Sequence, residues 1–247
     1  MAEQPLRVVV PPKLVRRAVL APLLLVFGLL ALVLAPVLLP AWLLALLVPA
    51  IRPVLRMLTV AVAYLLIDSA ALLASVALWV ASGFGRRLGS KRFLDAHYAL
   101  MRWMLESLVR VVRAVFGMRF EVERPTGRVS EPHRPVVVLS RHSGPGDSFL
   151  VVHELLSTYH RRPRVIMKDT LQLDPGLDVL ANRLPNAFIA PRPGSDVGIL
   201  AEIGVLAAGL GRDDAMLIFP EGANFTPRRR LRSIAYLERL RMVEQAA

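Results

Sequence analysis

A histidine and an aspartate stand five positions apart in the segment L-S-R-H-S-G-P-G-D-S-F, as His142 and Asp147. An imidazole oriented by a carboxylate is a competent general base near neutral pH. Gly144 and Gly146 allow the tight turn that would bring the two side chains together, and Pro145 stiffens that turn. The segment therefore predicts a His–Asp general base between an apolar run and a helical one.

Each of the two residues also has a simpler interpretation. Asp147 precedes the helical pattern S-F-L-V-V-H-E-L-L, so its side chain could cap the N-terminus of a helix, a role compatible with orienting His142. His142 could be a loop histidine without a chemical task.

Several other kinds of site are excluded or disfavoured. The chain has no cysteine, which rules out a cysteine nucleophile, disulfides and thiolate metal ligands. It has no G-x-S-x-G segment, and Ser143 beside His142 has no separate activator. Histidines and carboxylates do not recur at ligand spacings, so we expect no metal site.

Two apolar runs in the first third of the chain predict membrane helices. Residues 18–51 carry no charge, and as a helix they would be about 51 Å long against a hydrocarbon core of about 30 Å. Because Pro36 can kink this run and Pro40 can end it, we expect one spanning helix at 18–39 and an interfacial or re-entrant piece at 41–51. A second span is expected within 57–85, whose one charged residue is Asp68. We expect Asp68 to be paired or protonated at a helix interface, with a direct functional role as the alternative.

Basic residues flank these runs asymmetrically. More Lys and Arg residues precede the first run and follow the second than lie between them, so the positive-inside rule predicts an integral protein of the cell membrane with both ends in the cytoplasm. A cleavable signal peptide is disfavoured, because the first run is longer than the apolar region of a signal peptide and is not followed by a clear cleavage site of the form small-x-small. The basic residues are Arg7, Lys13, Arg16 and Arg17 before, Arg52 and Arg56 between, and Arg86, Arg87, Lys91 and Arg92 after.

The overall charge is strongly positive. There are 31 Lys and Arg residues against 19 Asp and Glu, a formal net charge of +12, which suits nucleic acid, anionic lipid or a phosphorylated substrate. No nucleic-acid-binding motif accompanies the charge, and the membrane runs favour lipid. The sequence leaves the oligomeric state open.

The rest of the chain reads as a linker helix followed by an α/β domain. We divide the chain into a membrane-anchoring region at 1–92, an amphipathic helix at 93–117 and an α/β domain at 118–247. The linker helix could equally lie at the membrane interface or pack on the domain. In the domain, apolar runs alternate with helical segments, and sites gather at the carboxyl ends of strands in such sheets. The apolar runs are 118–123, 135–140, 164–167, 187–190 and 216–219, and the helical segments are 147–159, 177–183 and 196–210.

Three polar segments at expected strand ends carry a resemblance to a known family. R-H-S-G-P-G-D-S, A-F-I-A-P-R and L-I-F-P-E-G-A-N-F-T-P resemble the first three motifs of the glycerolphosphate acyltransferase superfamily, in that family's order and approximate spacing. The similarity covers about residues 120–235. Its closest-looking members are 1-acylglycerol-3-phosphate acyltransferases.

The resemblance implies a reaction and a role for individual residues. His142, oriented by Asp147, would take the proton from an acceptor hydroxyl as it attacks the thioester carbonyl of acyl-CoA or acyl carrier protein, giving phosphatidate without an acyl-enzyme and without a cofactor. Arg192 matches the arginine that binds the acceptor phosphate, and a guanidinium suits that role. Glu221 and Gly222 match the third motif, which positions the acceptor. Lys168 resembles a lysine before the second motif that could attract phosphate or CoA.

The sequence departs from the family pattern in two places. Asn224 stands where many members have an arginine, so a phosphate contact is lost unless the arginines at 228–230 and 232 replace it. The fourth motif, an apolar V-P-V-x-P-V-like strand, is missing, so we expect a shortened domain that lacks its last strands. These departures leave two alternatives: another lysophospholipid or glycolipid as acceptor, or an inactive membrane protein that binds anionic lipid.

Overall fold

Two long apolar helices precede a small parallel sheet surrounded by helices. The computed structural model describes residues 10–123, 134–142, 144, 146–190 and 196–220, together with 230, 231, 234, 235 and 238. Helices α1 (Lys13–Leu47) and α2 (Arg52–Ala81) form a hairpin through a 3-10 turn at Pro49–Ile51. Both helices are long and apolar enough to cross a membrane.

The first helix is longer than its prolines predicted. It continues unbroken through Pro22, Pro36 and Pro40, so the expected end at Pro40 and the separate piece at 41–51 are wrong. A proline removes one backbone hydrogen bond, and apolar membrane helices tolerate this loss because neighbouring groups can compensate. The second helix starts earlier than expected because Pro53 lies in its first turn, where no backbone N–H is needed.

Small residues allow the two helices of the hairpin to approach closely. A Cβ atom on Gly28 would lie 2.1 Å from Oγ of Ser69, so any larger residue would collide with α2. Nearer the turn, Nε1 of Trp42 donates to Oγ1 of Thr59 at 3.0 Å. Close backbone approach and interhelical hydrogen bonds are the usual means of joining apolar helices.

A glycine-rich turn connects the hairpin to α3 (Lys91–Phe116). Gly83 and Gly85 have φ angles of 75° and 94°, which glycine adopts without strain, and these conformations end α2. Helix α3 ends at Gly117, whose left-handed conformation is a common helix terminator. Helix α3 covers nearly the whole range predicted for an amphipathic helix, 93–117, and its buried face packs against α2 and the following domain.

Within its described residues, the domain has four parallel strands: β1 (Val136–Leu139), β2 (Arg162–Lys168), β3 (Ala187–Ile189) and β4 (Asp214–Ile218). Their order across the sheet is β1-β4-β2-β3. Helices α4 (Asp147–Ser157), α5 (Pro175–Ala181) and α6 (Asp196–Ala208) connect them, with a 3-10 turn at Asp169–Leu173.

This alternation confirms the α/β fold predicted from the sequence. The apolar run at 118–123 is an exception, because it follows Gly117 as an irregular segment. Val165, Ala215 and Leu217 form the centre of the sheet's core and pack against Leu155 of α4.

Polar contacts join the hairpin to α5. A Cβ atom on Gly176 would lie 1.8 Å from Oδ1 of Asp68, so α5 begins against this buried carboxyl group of α2. At the start of α1, Arg16 and Arg17 form ion pairs with Asp178 of α5, with N–O distances of 2.7 and 3.0 Å. Asp68 therefore lies at the interface between α2 and α5, and a position at a helix interface is what the sequence analysis expected for it.

Candidate active site

Three neighbouring strands end at the same edge of the sheet and carry the residues of the candidate site. Because β1, β4 and β2 are parallel neighbours, their carboxyl ends lie side by side. His142 follows β1, Phe219 and Pro220 follow β4, and Lys168 ends β2. Of the three polar segments predicted to converge, the first begins after β1 and the third begins after β4, at this edge. Residues 191–194 of the second segment and 221–227 of the third lie outside the described residues, so the convergence of all three stays a prediction.

His142 is held against the end of β4. The backbone N–H of Ser140 donates to the carbonyl oxygen of Ile218 at 3.0 Å, so the pairing of β1 with β4 continues one residue past the strand. Two residues later the imidazole of His142 stacks on the ring of Phe219, with centroids 3.9 Å apart and planes inclined by 16°. Stacking on an aromatic face fixes the plane of the imidazole. A general base needs such a fixed orientation to accept a proton from one direction.

Asp147 is the first residue of α4, and its carboxylate turns back towards the loop after β1. Its Oδ2 accepts a hydrogen bond of 2.5 Å from the backbone N–H of Gly144. Among the described residues the N-cap of α4 is Gly146 and Asp147 is the first helical residue, so Asp147 does not occupy the N-cap position that the simpler interpretation gave it. The carboxylate instead stabilises the turn between itself and His142, in the first helical turn where negative charge is favoured.

An apolar cavity of about 600 Å³, here called the site cavity, opens beside His142. Its walls come from α3, α4, β2, the segments after β2, and the ends of β3 and β4. Such a cavity, apolar with a few polar groups, is the common form of a small-molecule site. Its lining residues are Met101, Met104, Leu105, His142, Ser148, Phe149, Val152, Val165, Ile166, Met167, Lys168, Thr170, Leu171, Leu177, Asn186, Ile189, Ile203, Ile218, Phe219 and Pro220.

Two polar residues of the site cavity have different surroundings. Lys168 is exposed at the carboxyl end of β2, so its ammonium group can meet an anion at the rim of the cavity. Asn186 is tied to the scaffold instead: its Oδ1 accepts from the N–H of Val165 at 2.8 Å, and its Nδ2 donates to the carbonyl oxygen of Ala181 at 3.0 Å. Of the two, Lys168 is the group able to contact a ligand's charge.

Four of the residues singled out from the sequence, Arg192, Glu221, Gly222 and Asn224, lie outside the described residues. Ile189, three residues before Arg192, and Pro220, directly before Glu221, both line the site cavity. The roles assigned to the four residues therefore stay predictions.

Several residues of the site were not singled out from the sequence. Phe219 stacks on His142. The one signal for it in the sequence is its place at the end of the apolar run M-L-I-F, directly before P-E-G. Met101, Met104 and Leu105 line the site cavity from α3, although they lie some forty residues before His142. Their buried positions follow the apolar stripe of α3, but no sequence pattern shows which cavity that stripe borders.

Among the described residues, no group of three or more His, Cys, Asp or Glu side chains could hold a metal ion. The family model described as Acyltransferase matches residues 119–239. No curated protein and no solved structure matched the chain.

Proposed function

Because residues 119–239 form an acyltransferase domain of the glycerolphosphate acyltransferase superfamily, we propose that this protein acylates the free hydroxyl of 1-acylglycerol 3-phosphate. The product is phosphatidate, and the donor is an acyl thioester, either acyl-CoA or acyl carrier protein. The observation that carries the proposal is the position of His142. Its imidazole lies in the wall of the site cavity, and Asp147 begins the next helix.

In the proposed reaction, His142 takes the proton from the acceptor hydroxyl while the hydroxyl oxygen attacks the thioester carbonyl carbon. The tetrahedral intermediate then collapses, the C–S bond breaks, and the thiolate leaves with the proton that His142 returns. Asp147 orients the imidazole and balances its transient positive charge. A new ester forms in one displacement at the carbonyl, so no acyl-enzyme is required.

The site cavity is suited to the hydrocarbon parts of the substrates. Its walls are mainly aliphatic and aromatic, and burying each methylene group of an acyl chain contributes about 0.8 kcal/mol. We expect Arg192 to bind the phosphate of the acceptor and Glu221 and Gly222 to position its glycerol part, while Lys168 at the rim of the site cavity is a second group that can attract the phosphate. With the acyl chains in the apolar part of the site and the phosphate at the charged part, the reacting hydroxyl would lie between the two parts, beside His142.

The membrane hairpin gives the domain access to an acceptor that resides in the bilayer. Helices α1 and α2 are joined to α5, and Leu177 of α5 lines the site cavity. We propose that the hairpin spans the cell membrane and that the domain faces the cytoplasm, where acyl thioesters are made. Asn224, in place of an arginine, supports another lysophospholipid or a glycolipid as the alternative acceptor.

The test is acyl transfer by purified full-length protein in detergent or vesicles, with lysophosphatidic acid and acyl-CoA as substrates. Free thiol and phosphatidate should rise together for the wild type. His142→Ala should lower the rate by about 10² to 10⁴-fold, because it removes the general base. His160→Asn is the matched control, since His160 is exposed and lies outside the site cavity, and asparagine tolerates its φ of 49°.

The possible outcomes separate the candidate functions. Full activity of folded His142→Ala would contradict the role of His142. Turnover with a different lysophospholipid or a glycolipid, but not with lysophosphatidic acid, would support the alternative acceptor. No turnover with any acceptor, combined with salt-sensitive binding to anionic vesicles that survives His142→Ala, would support a lipid-binding protein instead.

A further inference from the structure

A second cavity, here called the arginine cavity, lies at the C-terminal half of α3. It has a volume of about 710 Å³ and is formed by α3, the segment that follows α3, and His153 of α4. Arg110, Arg113 and Arg119 line it, with Glu106 as its acidic group. It shares no lining residue with the site cavity.

The arginine cavity has an excess of positive charge. Arg110, Arg113 and Arg119 are exposed, and within the described part of the chain none of them forms an ion pair or a side-chain hydrogen bond. The carboxylate of Glu106 is engaged by α4, since its Oε1 accepts from Oγ of Ser157 at 2.9 Å. Three guanidinium groups around one recess are suited to phosphate oxygens, which they bind through charge-assisted and often bidentate hydrogen bonds.

The two cavities take lining residues from neighbouring positions on both α3 and α4. On α3, Leu105 lines the site cavity and the next residue, Glu106, lines the arginine cavity. On α4, Val152 lines the site cavity and the next residue, His153, lines the arginine cavity. From Met104 to Arg113 the helix rises by ~14 Å, a separation that the extended pantetheine arm of CoA can bridge.

We propose that the arginine cavity binds the phosphorylated nucleotide end of acyl-CoA, while the thioester lies beside His142. This inference rests on the proposed function for the position of the thioester, but the nucleotide contact itself can be measured without turnover. A recess lined by several guanidinium groups suits the compact 3′-phosphate and diphosphate of CoA. It therefore favours CoA over acyl carrier protein, which has an extended acidic surface and carries one phosphate on its prosthetic group.

The first experiment measures binding of adenosine 3′,5′-bisphosphate and of CoA to purified full-length protein by calorimetry. Arg110→Gln and Arg113→Gln should each weaken binding about tenfold, because each removes a charge-assisted contact while glutamine preserves the helix. Arg92→Gln is the matched control, since Arg92 is an exposed arginine of the same helix that does not line the cavity. Dephospho-CoA should bind more weakly than CoA to the wild type, and this difference should shrink in the variants.

The second experiment measures kinetics. Arg113→Gln should raise the KM for acyl-CoA about tenfold with little change in kcat, and it should leave the KM for acyl carrier protein nearly unchanged. Absence of nucleotide binding to the wild type, or equal binding by the wild type and both variants, would overturn the inference. It would also be overturned if the variants lost binding to anionic vesicles but kept nucleotide binding.

The two proposals can fail separately. Arginine-dependent nucleotide binding without acyl transfer would contradict the proposed function and retain the site. Acyl transfer from acyl-CoA with the same KM in the wild type, Arg110→Gln and Arg113→Gln would contradict the site and retain the proposed function.

Discussion

The negative charge of Asp147 is expected to balance the positive charge of His142 during the reaction, a role that a residue serving only to stabilise the turn would not have. Asp147→Asn keeps an oxygen that can accept from the N–H of Gly144, so the turn and α4 should remain folded. The neutral amide cannot balance the imidazolium of His142, and kcat should fall by about 10² to 10⁴-fold. Activity close to that of the wild type, with unchanged thermal unfolding, would show that Asp147 has a structural role alone.

His97 shows how burial of one side chain makes stability depend on pH. Its Nδ1 lies 2.6 Å from the carbonyl oxygen of Phe93, and its Nε2 lies 3.2 Å from a guanidinium nitrogen of Arg183. Burial lowers the pKa of His97 below its ordinary value of 6.5, and the charge of Arg183 acts in the same direction, against the hydrogen bond to Phe93. The neutral imidazole is therefore the form that the fold accommodates.

This pKa shift predicts loss of stability in acid. Below about pH 6.5 the unfolded chain protonates His97 while the folded protein does not, so the free energy of unfolding falls as the pH falls. His97→Gln should reduce the difference in melting temperature between pH 7.5 and pH 5.5, whereas His160→Asn should leave more of it intact. An equal pH dependence in the wild type and His97→Gln would contradict the assignment.

At the scale of elements, the close contact between α2 and α5 depends on Gly176, which has no Cβ atom. Gly176→Ala would place a methyl group 1.8 Å from Oδ1 of Asp68, so the buried carboxyl group or one of the two helices must shift. We expect destabilisation of about 1–3 kcal/mol, measured as a lower melting temperature. Gly198→Ala in α6 is the control, because nothing lies within 4 Å of its added methyl group and alanine favours a helix.

A double variant tests whether that loss arises at the interface. Adding Asp68→Ala to Gly176→Ala removes the colliding carboxyl group and should recover part of the stability, relative to the sum of the single changes. Additive effects would show that Gly176→Ala acts within α5 alone.

Periodicity predicted most of the elements, and the errors arose where neighbouring elements decide the outcome. The apolar stripe of α3 and the short apolar runs of the sheet predict elements that the structure contains, because each buries one face or is wholly enclosed. Pro40 predicts a helix end, but a long apolar helix tolerates the local disruption that a proline causes. The run at 118–123 has a strand-like pattern, but among the described strands none pairs with it.

The candidate site was predictable to the extent that it follows strand ends. The sequence placed His142 after a strand and Pro220 after another, and parallel strands bring such ends together. The sequence could not show that Phe219 stacks on His142, because that contact depends on β4 lying next to β1. The contribution of α3 to the site cavity likewise depends on tertiary packing.

At the scale of the whole molecule, the absence of cysteine makes the proposed membrane orientation directly measurable. Ala50 lies in the exposed turn between α1 and α2, and Ser90 lies in the exposed turn before α3. In intact cells a membrane-impermeant maleimide should label Ala50→Cys, and it should label Ser90→Cys after permeabilisation alone. Labelling of both variants from outside, or of neither, would contradict a hairpin that spans the membrane with the domain in the cytoplasm.

The position of β4 has a consequence for how the protein is made. This strand is the last of the four in the chain, yet it lies between β1 and β2 and pairs with both. During synthesis the hairpin leaves the ribosome before the strands, and β1, β2 and β3 must wait for residues 214–218 before the sheet can close. Until then β1 has no partner among the strands described, and its open edge is exposed to other chains. Early membrane insertion would hold each nascent chain apart from its neighbours during this interval.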